Sequence, residues 1–328
     1  MKKLLFVAVV GLFLLPTLLL ADVQVTNPGY NVELFVSLGT TANDPRELTF
    51  DSAGNLYITH QNQGSITKIA PDKTVTKKWS SGYNQPWGLE FTQGSAYGDK
   101  AYVAQNTGHS IGSVSMSGQY SSFTSIASPS IITLDTVGNY GGYLYAGSTA
   151  EDGVYKILPN GTQTLFCDDF YKLSGGIEGL AFSPFSNYGS QMYIGVFSNQ
   201  YDHGGLYSVD ANGNSTRFGT DMIWAKNLNF DTTGFFGNAL YASGIVERNT
   251  RWDIYSIDDT GDATSFAVST FATTYGGLFA YTFGPDGAMY VFEGDGVHTD
   301  QIWRVTAIPE PMTFGLLGLG FLLCRKKR

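Results

Sequence analysis

Cysteine is nearly absent from this chain, which has two copies, Cys167 and Cys324, among 328 residues. Cys324 lies in an apolar C-terminal segment outside the body of the chain, so Cys167 alone cannot form an internal disulfide. We therefore expect Cys167 to pack as a small apolar side chain. A chain without disulfides depends on its core, and a 43% hydrophobic chain of this length can bury a sizeable one.

Basic residues are also scarce. The chain has 19 Lys and Arg against 28 Asp and Glu, and its formal net charge is −9. Nucleic-acid binding requires a basic face, so the composition excludes a nucleic-acid partner.

Several catalytic signatures are missing as well. The sequence has no G-x-x-x-x-G-K-[ST] phosphate loop and no H-E-x-x-H pair, and its one G-x-S-x-G match, at residues 108–112, lies between two strand patterns and not between a strand and a helix. Its four histidines are not in ligand-spaced pairs. Nothing therefore supports a serine hydrolase or a zinc hydrolase.

The N-terminus has the pattern of a secretory signal. Lys2 and Lys3 precede a 17-residue apolar run that ends at Leu20, and Ala21 follows. An uncleaved membrane anchor is the alternative for a run of this length. Because Pro16 and Ala21 favour cleavage, we predict that residues 1–21 are a signal peptide.

The C-terminus has three consecutive parts. Pro309, Glu310 and Pro311 precede a 13-residue apolar stretch, Met312–Cys324, and a basic end at residues 325–328. Thirteen residues are short for a free-standing spanning helix. The basic end resists crossing, because each Arg or Lys costs about 2.5–3.5 kcal/mol at the bilayer centre. We predict a tail that contacts the membrane while the body lies outside the cytoplasm.

This order of parts resembles the PEP-CTERM sorting signal of bacterial surface and exopolysaccharide-associated proteins. The resemblance covers residues 307–328, through Pro309–Glu310–Pro311, the Gly-Leu run at 315–320 and the basic end. It implies processing by an exosortase-type protease, loss of the tail, and a place in the cell envelope, cell surface or extracellular matrix of a bacterium. Cleavage after Ala21 and Pro311 would leave 13 basic and 28 acidic residues, a net charge of −15.

The body, residues 22–306, is a six-fold repeat. A tyrosine recurs at spacings of 45, 43, 48, 48 and 49 residues, at Tyr57, Tyr102, Tyr145, Tyr193, Tyr241 and Tyr290. Each unit has short apolar or alternating segments bounded by Gly, Asn, Asp and Pro, which are typical of strands and hairpins. Four strands in a unit of this length match a propeller blade. The sequence predicts an all-β, six-bladed β-propeller of four-stranded blades.

The sixth unit lacks a fourth strand, because the chain passes directly from Val305 into the tail. A spare strand pattern exists at Val32–Val36. We predict that this N-terminal strand completes the last blade, which closes the ring and leaves no exposed strand edge.

The body resembles the six-bladed propellers of the NHL-repeat and gluconolactonase-like superfamily. The matching segments are Asp51–Tyr57, Gly179–Pro184 and Phe283–Tyr290. These are turn and core positions, so the resemblance implies a fold and does not transfer an activity.

Candidate site residues follow from the repeat, because loops converge on the face where the inner strands begin. Two positions of the repeat supply the predicted binding residues of this channel mouth. The first lies two residues before the first apolar residue of the inner-strand segment and holds Arg46, Trp87, Glu178 and Lys226. The second lies three residues after the repeated tyrosine and holds His60 and Glu293. Trp87, Trp224 and Trp252 are candidate platforms for the sugar rings of an extracellular polysaccharide or surface polymer.

Two interpretations of the mouth stay open. The gluconolactonase-like resemblance implies a divalent cation on Glu, Asn and Asp side chains, with Glu178 and neighbouring Asn227 as candidates. Arg46 and Lys226 oppose a metal there and instead favour an ion-paired plug around Glu178.

Our leading hypothesis is a binding or scaffolding module without a cofactor. The alternative is a metal-dependent, lactonase-like hydrolase, and a third interpretation is a propeller that binds calcium only for stability. Whether the chain is an enzyme is left open by the sequence.

Overall fold

The computed structural model describes residues 23–39, 45–168, 170, 175–198, 204–219, 221–246, 252–269, 277–294 and 300–308. Within these ranges the chain forms 25 β-strands in six antiparallel sheets, and the helix there is a single 3-10 turn, Ser186–Tyr188. The six sheets confirm the predicted all-β, six-bladed propeller.

The first three blades follow chain order from the inner strand outwards. Blade 1 contains β3 (Pro45–Phe50), β4 (Leu56–His60), β5 (Ser65–Ile69) and β6 (Val75–Ser81). Blade 2 contains β7 (Pro86–Phe91), β8 (Lys100–Gln105), β9 (Ser110–Ser115) and β10 (Tyr120–Thr124). Blade 3 contains β11 (Pro129–Leu134), β12 (Leu144–Ser148), β13 (Val154–Ile157) and β14 (Gln163–Cys167).

The last three blades complete the ring. Blade 4 contains β15 (Gly175–Phe182), β16 (Met192–Ser198), β17 (Gly205–Val209) and β18 (Ser215–Arg217). Blade 5 contains β19 (Met222–Phe230), β20 (Leu240–Val246), β21 (Asp253–Ile257) and β22 (Ala263–Ser269). Blade 6 contains β23 (Gly277–Phe283), β24 (Met289–Gly294), β25 (Asp300–Ala307) and an N-terminal strand. The six inner strands contact one another in sequence around the central channel.

The ring is closed by the N-terminal strand β2 (Tyr30–Gly39). It pairs antiparallel with β25, from Tyr30 opposite Ala307 to Gly39 opposite Asp300. This confirms the prediction that the spare strand completes the last blade. A further strand, β1 (Val23–Val25), pairs with β22 and gives blade 5 a fifth strand that the repeat did not predict.

The core lies between neighbouring blades as six apolar clusters. Each repeated tyrosine is buried there, with at most 5% of its surface exposed, as are Leu48, Leu89 and Leu180 of the inner strands. Cys167 is a buried free thiol in one of these clusters, as expected. The repeat in the sequence is therefore the repeat of the interblade core.

A second tyrosine links adjacent blades in a way that the sequence analysis missed. Tyr140, in the turn before β12, donates to the Val209 carbonyl at 2.5 Å and accepts from the Met192 amide at 2.7 Å, both in blade 4. Tyr188 makes the same two bonds to Ile257 and Leu240 of blade 5. Tyr97 makes the corresponding two bonds to Ile157 and Leu144 of blade 3. The signal is a Tyr-Gly pair five residues before the repeated tyrosine.

The inner strands share a local distortion that positions the site. All six show a shift in pairing register near their first residues. Such a bulge turns a side chain away from the regular alternation of a strand. At Gly88 the inner strands approach so closely that a Cβ atom would lie 2.7 Å from the Ile132 amide nitrogen. The bulges present the first residues of each inner strand to the channel mouth.

Candidate binding site at the channel mouth

Four of the six predicted mouth residues form one contiguous group. Glu178 lies at its centre, Lys226 and Arg46 contact Glu178, and Trp87 contacts Arg46. These residues come from the inner strands of blades 4, 5, 1 and 2, so the group spans the mouth.

Ion pairs define the centre of the group. The Nζ atom of Lys226 is 2.6 Å from Oε2 of Glu178, and Nη1 of Arg46 is 3.9 Å from the same oxygen. The Glu178 side chain is 8% exposed and the Lys226 side chain is 13% exposed. The ion pairs expected from the sequence are therefore present and largely shielded from solvent.

Aromatic rings flank both cations. The Arg46 guanidinium is 4.3 Å from the centre of the Trp87 ring. Its Nε also donates to the side-chain oxygen of Gln61. The Lys226 ammonium is 4.8 Å from the Phe197 ring and 4.7 Å from the Trp252 ring. Because an aromatic face attracts a cation, these contacts hold both charges in place.

A cluster of three half-buried rings, Phe197, Trp224 and Trp252, borders Lys226. Trp224 and Trp252 stack at 5.9 Å with a 21° angle between their planes, and Phe197 is 5.0 Å from Trp224. The two tryptophans were predicted as stacking platforms, whereas Phe197 was missed. The sequence could have indicated Phe197, because it lies near the end of the second strand of blade 4, one residue after the position that holds His60 and Glu293 in other blades.

One carboxylate oxygen at the centre is still available. Both ion pairs of Glu178 use Oε2, and no residue in the described ranges bonds its Oε1. A carboxylate that is more than nine-tenths shielded thus has an acceptor that a ligand can use.

His60 lies apart from this group. It is 2% exposed inside blade 1, where its Nε2 is 2.9 Å from the Thr67 hydroxyl. Burial, with a smaller contribution from the charge of Lys77, lowers its pKa to about 4. His60 is therefore a neutral interior side chain, and the structure does not place it with Glu178.

Glu293 is also an interior residue. It is fully buried in blade 6, where it accepts a hydrogen bond from the Ser269 hydroxyl at 2.5 Å and one from the Trp303 indole at 3.0 Å. These bonds satisfy the carboxylate within the blade. The aligned position that supplies His60 and Glu293 thus faces the protein interior at both residues.

A divalent cation does not fit the mouth group. Glu178 already pairs with two cationic side chains. Divalent cations such as calcium need several free oxygen ligands. In the described part of the chain no three His, Cys, Asp or Glu side chains form a metal-binding group.

Two further carboxyl groups, Glu47 and Glu90, occupy the channel wall and were missed by the sequence analysis. Burial raises the pKa of Glu90, which is half-buried, to about 8. Burial, and then the charge of Glu90, raises the pKa of Glu47 as well. The sequence could have indicated both, because each is an acidic residue inside the apolar pattern of an inner strand.

The opposite end of the channel carries a groove of about 640 Å³. It is lined by the turns of blades 1, 5 and 6, including Phe50, Phe235, Phe283 and Pro285. Phe235 is 59% exposed. Blades 1 and 6 have short turns here, without the Tyr-Gly segment found in blades 2 to 4, and the groove lies where that segment is missing.

The predicted signal peptide and the sorting residues Pro309, Glu310 and Pro311 lie outside the described residues. Among the residues that are described, no helix is long and apolar enough to cross a membrane.

Comparison with known proteins identifies the fold. No protein-family model matches the chain, and no curated protein matches it. A gluconolactonase from Xanthomonas campestris matches with a TM-score of 0.64 at 13% identity, over 87% of this chain and 95% of its own. Virginiamycin B lyase from Staphylococcus aureus matches with a TM-score of 0.59 at 13% identity, over 85% and 100%. Calcium-binding regucalcin from Agrobacterium tumefaciens matches with a TM-score of 0.58 at 14% identity, over 84% and 95%.

Proposed function

We propose that this chain is an exported, surface- or matrix-associated propeller that acts as a binding and scaffolding module. The observation that carries the proposal is the ion-paired group of Glu178, Lys226 and Arg46 at the channel mouth. It includes Glu178, which the gluconolactonase-like resemblance would make a metal ligand, and it combines charged groups with aromatic rings, as ligand-binding pockets do.

The export part of the proposal rests on the two ends of the sequence. Residues 1–21 have the pattern of a signal peptide, and residues 307–328 have the order of parts of a sorting tail. An exosortase-type protease would act at the Pro309–Glu310–Pro311 segment. The acidic body that remains would resist aggregation in the matrix.

The alternative function is a lactonase-like hydrolase. It is favoured by the similarity of the fold to a gluconolactonase from Xanthomonas campestris. Its weakness is the donor set, because Glu178 would have to leave Lys226 before it could bind a metal.

Export is tested by following the chain in a bacterium with an exosortase-type protease and in a matched strain without it. We expect the protein outside the cytoplasm, with residues 1–21 removed in both strains and residues 312–328 removed only in the first strain. A full-length chain that stays in the cytoplasm of both strains would refute export.

The enzyme alternative is tested with gluconolactone and a series of divalent cations. We expect no turnover above the spontaneous rate by the wild-type chain. Metal-dependent hydrolysis that disappears in Glu178→Gln would replace the binding module with the lactonase alternative.

A further inference from the structure

We infer that the channel mouth is a subsite for a neutral saccharide, with a pyranose ring against Trp252 and Trp224 and a hydroxyl group donating to Oε1 of Glu178. The inference rests on the proposed function and names the ligand class of that same site. It uses the half-buried rings, the two cations and the free carboxylate oxygen together.

The ring cluster supplies the surface that a sugar needs. Trp224 and Trp252 lie within 21° of parallel, and both are half-buried, so the two rings are held in place and still reach solvent. Phe197 stacks against Trp252, with 6.3 Å between the ring centres and 29° between the planes. Large aromatic faces with fixed orientation bury the C–H face of a pyranose at little entropic cost.

The polar centre supplies matching hydrogen bonds. Oε1 of Glu178 is an acceptor without a partner in the described ranges, on a side chain that is 8% exposed. Lys226 sits 2.6 Å from Oε2 of the same carboxylate and beside the Trp252 ring. A sugar hydroxyl can donate to one group and accept from another, so adjacent ring hydroxyls could bridge Glu178 and Lys226.

The charges at the mouth distinguish between ligand classes. A cationic ligand would meet Lys226 and Arg46. A carboxylate placed at Oε1 of Glu178, which no described residue bonds, would be attracted by the two cations but would meet a like charge there and has no proton to donate to that oxygen. An apolar ligand would bury that oxygen without a hydrogen bond, which is unfavourable. A neutral polyhydroxyl ligand meets neither objection and can donate to the oxygen, so we favour neutral sugars over uronic acids.

The test uses the full-length chain in a polyoxyethylene detergent, with tryptophan fluorescence and calorimetry as readouts. The probes are hexamers of β-1,4-linked glucose, β-1,3-linked glucose and β-1,4-linked N-acetylglucosamine, with a galacturonate hexamer as the charged comparison. We expect at least one neutral hexamer to quench tryptophan fluorescence and to bind more tightly than the galacturonate hexamer.

Variants locate the binding. Trp252→Ala and Glu178→Gln should each weaken affinity about tenfold, the size expected for one aromatic stack or one charge-assisted bond. Trp252→Phe should retain most of it, which guards against a folding defect. Phe235→Ala, an exposed ring at the opposite end of the channel, is the matched control and should bind like the wild type.

Failure would be recognisable. A folded chain that binds none of the three neutral hexamers, or that binds galacturonate more tightly, overturns the inference. Unchanged binding in both Trp252→Ala and Glu178→Gln overturns the location. Because binding by the purified chain does not depend on export, a cytoplasmic chain that binds sugars would refute the export part of the proposed function and leave this inference standing.

Discussion

Lys226 and Glu178 join the inner strands of blades 5 and 4 through a contact of 2.6 Å between Nζ and Oε2. The two side chains are 13% and 8% exposed, so neither charge is fully hydrated. A shielded charge that loses its partner is costly, whereas losing both partners together costs much less. Removing either charge should therefore lower the stability of the fold as well as change the charge of the channel mouth.

The first prediction concerns this pair. Glu178→Gln should lower the free energy of unfolding by about 3 kcal/mol, because it leaves Lys226 and Arg46 without their carboxylate. Glu178→Gln combined with Lys226→Met should recover part of the loss. Urea unfolding of Glu178→Gln, of Lys226→Met and of the double variant measures the coupling energy between the two side chains.

A control for that experiment is the ion pair between Arg304 and Glu33 at the outer edge of blade 6. The Glu33 side chain is 60% exposed, so Glu33→Gln should cost below about 1 kcal/mol. If Glu178→Gln and Glu33→Gln lowered the free energy of unfolding equally, shielding from solvent would not strengthen the ion pair at the mouth.

The second prediction concerns the interblade hydroxyls. Tyr140→Phe should destabilise the propeller by about 1–3 kcal/mol, because the Met192 amide and the Val209 carbonyl both lose a buried partner. Tyr143→Phe is the control, since its hydroxyl makes no hydrogen bond to the described residues. Equal thermal shifts for the two variants would show that the bridging bonds contribute nothing.

The third prediction concerns ring closure. Deleting residues 22–39 removes β2 and exposes the edge of β25, so we expect a broad unfolding transition and aggregation. Deleting only residues 22–25 removes β1, an added outer strand, and should leave a cooperative transition. A soluble monomer with a sharp melt after the longer deletion would contradict closure by β2.

The fourth prediction concerns Glu90, whose pKa rises from 4.5 to about 8 on folding. The folded state then holds a proton that the unfolded state releases, so stability falls as pH rises through this window and levels off above it. Above pH 6.5, where His60 is neutral in both states, Glu90→Gln should flatten the decrease. Thermal melts across this range measure it, and an unchanged slope in Glu90→Gln would refute the assignment.

The fifth prediction concerns His60, whose pKa falls from 6.5 to about 4 on folding. Its contribution to stability is complete above 6.5 and is lost as pH falls towards 4, because the unfolded state takes up the proton first. The ring signals of His60, assigned by comparison with His60→Phe, should stay unprotonated where an exposed imidazole titrates. Titration of this signal near 6.5 would contradict burial.

The repeat made much of the fold predictable. Residues such as Tyr57 and Leu48 recur at blade spacing because each blade must bury the same face against its neighbour. The missing strand after Val305 and the spare strand at Val32–Val36 predicted the closure for the same reason. β1 was not predictable in this way, because three residues carry too little periodicity to mark a strand.

The candidate site was predictable only in part. Arg46, Trp87, Glu178 and Lys226 share one aligned position, and equivalent positions of a ring converge at its mouth. His60 and Glu293 share another, yet their side chains are buried within blades 1 and 6. Repeat alignment does not reveal whether a side chain near a strand end faces the channel or the sheet beneath it.

The sequence by itself determined the class of fold, the number of blades, the strand that closes the ring and the acidic charge of the body. These follow from periodicity and composition, which are local or additive properties. Only the tertiary structure decided that Lys226 reaches Glu178, that Phe197 joins Trp224 and Trp252, and that Glu90 is shielded in the channel. Each of these depends on distances between different blades, which are set when the ring closes.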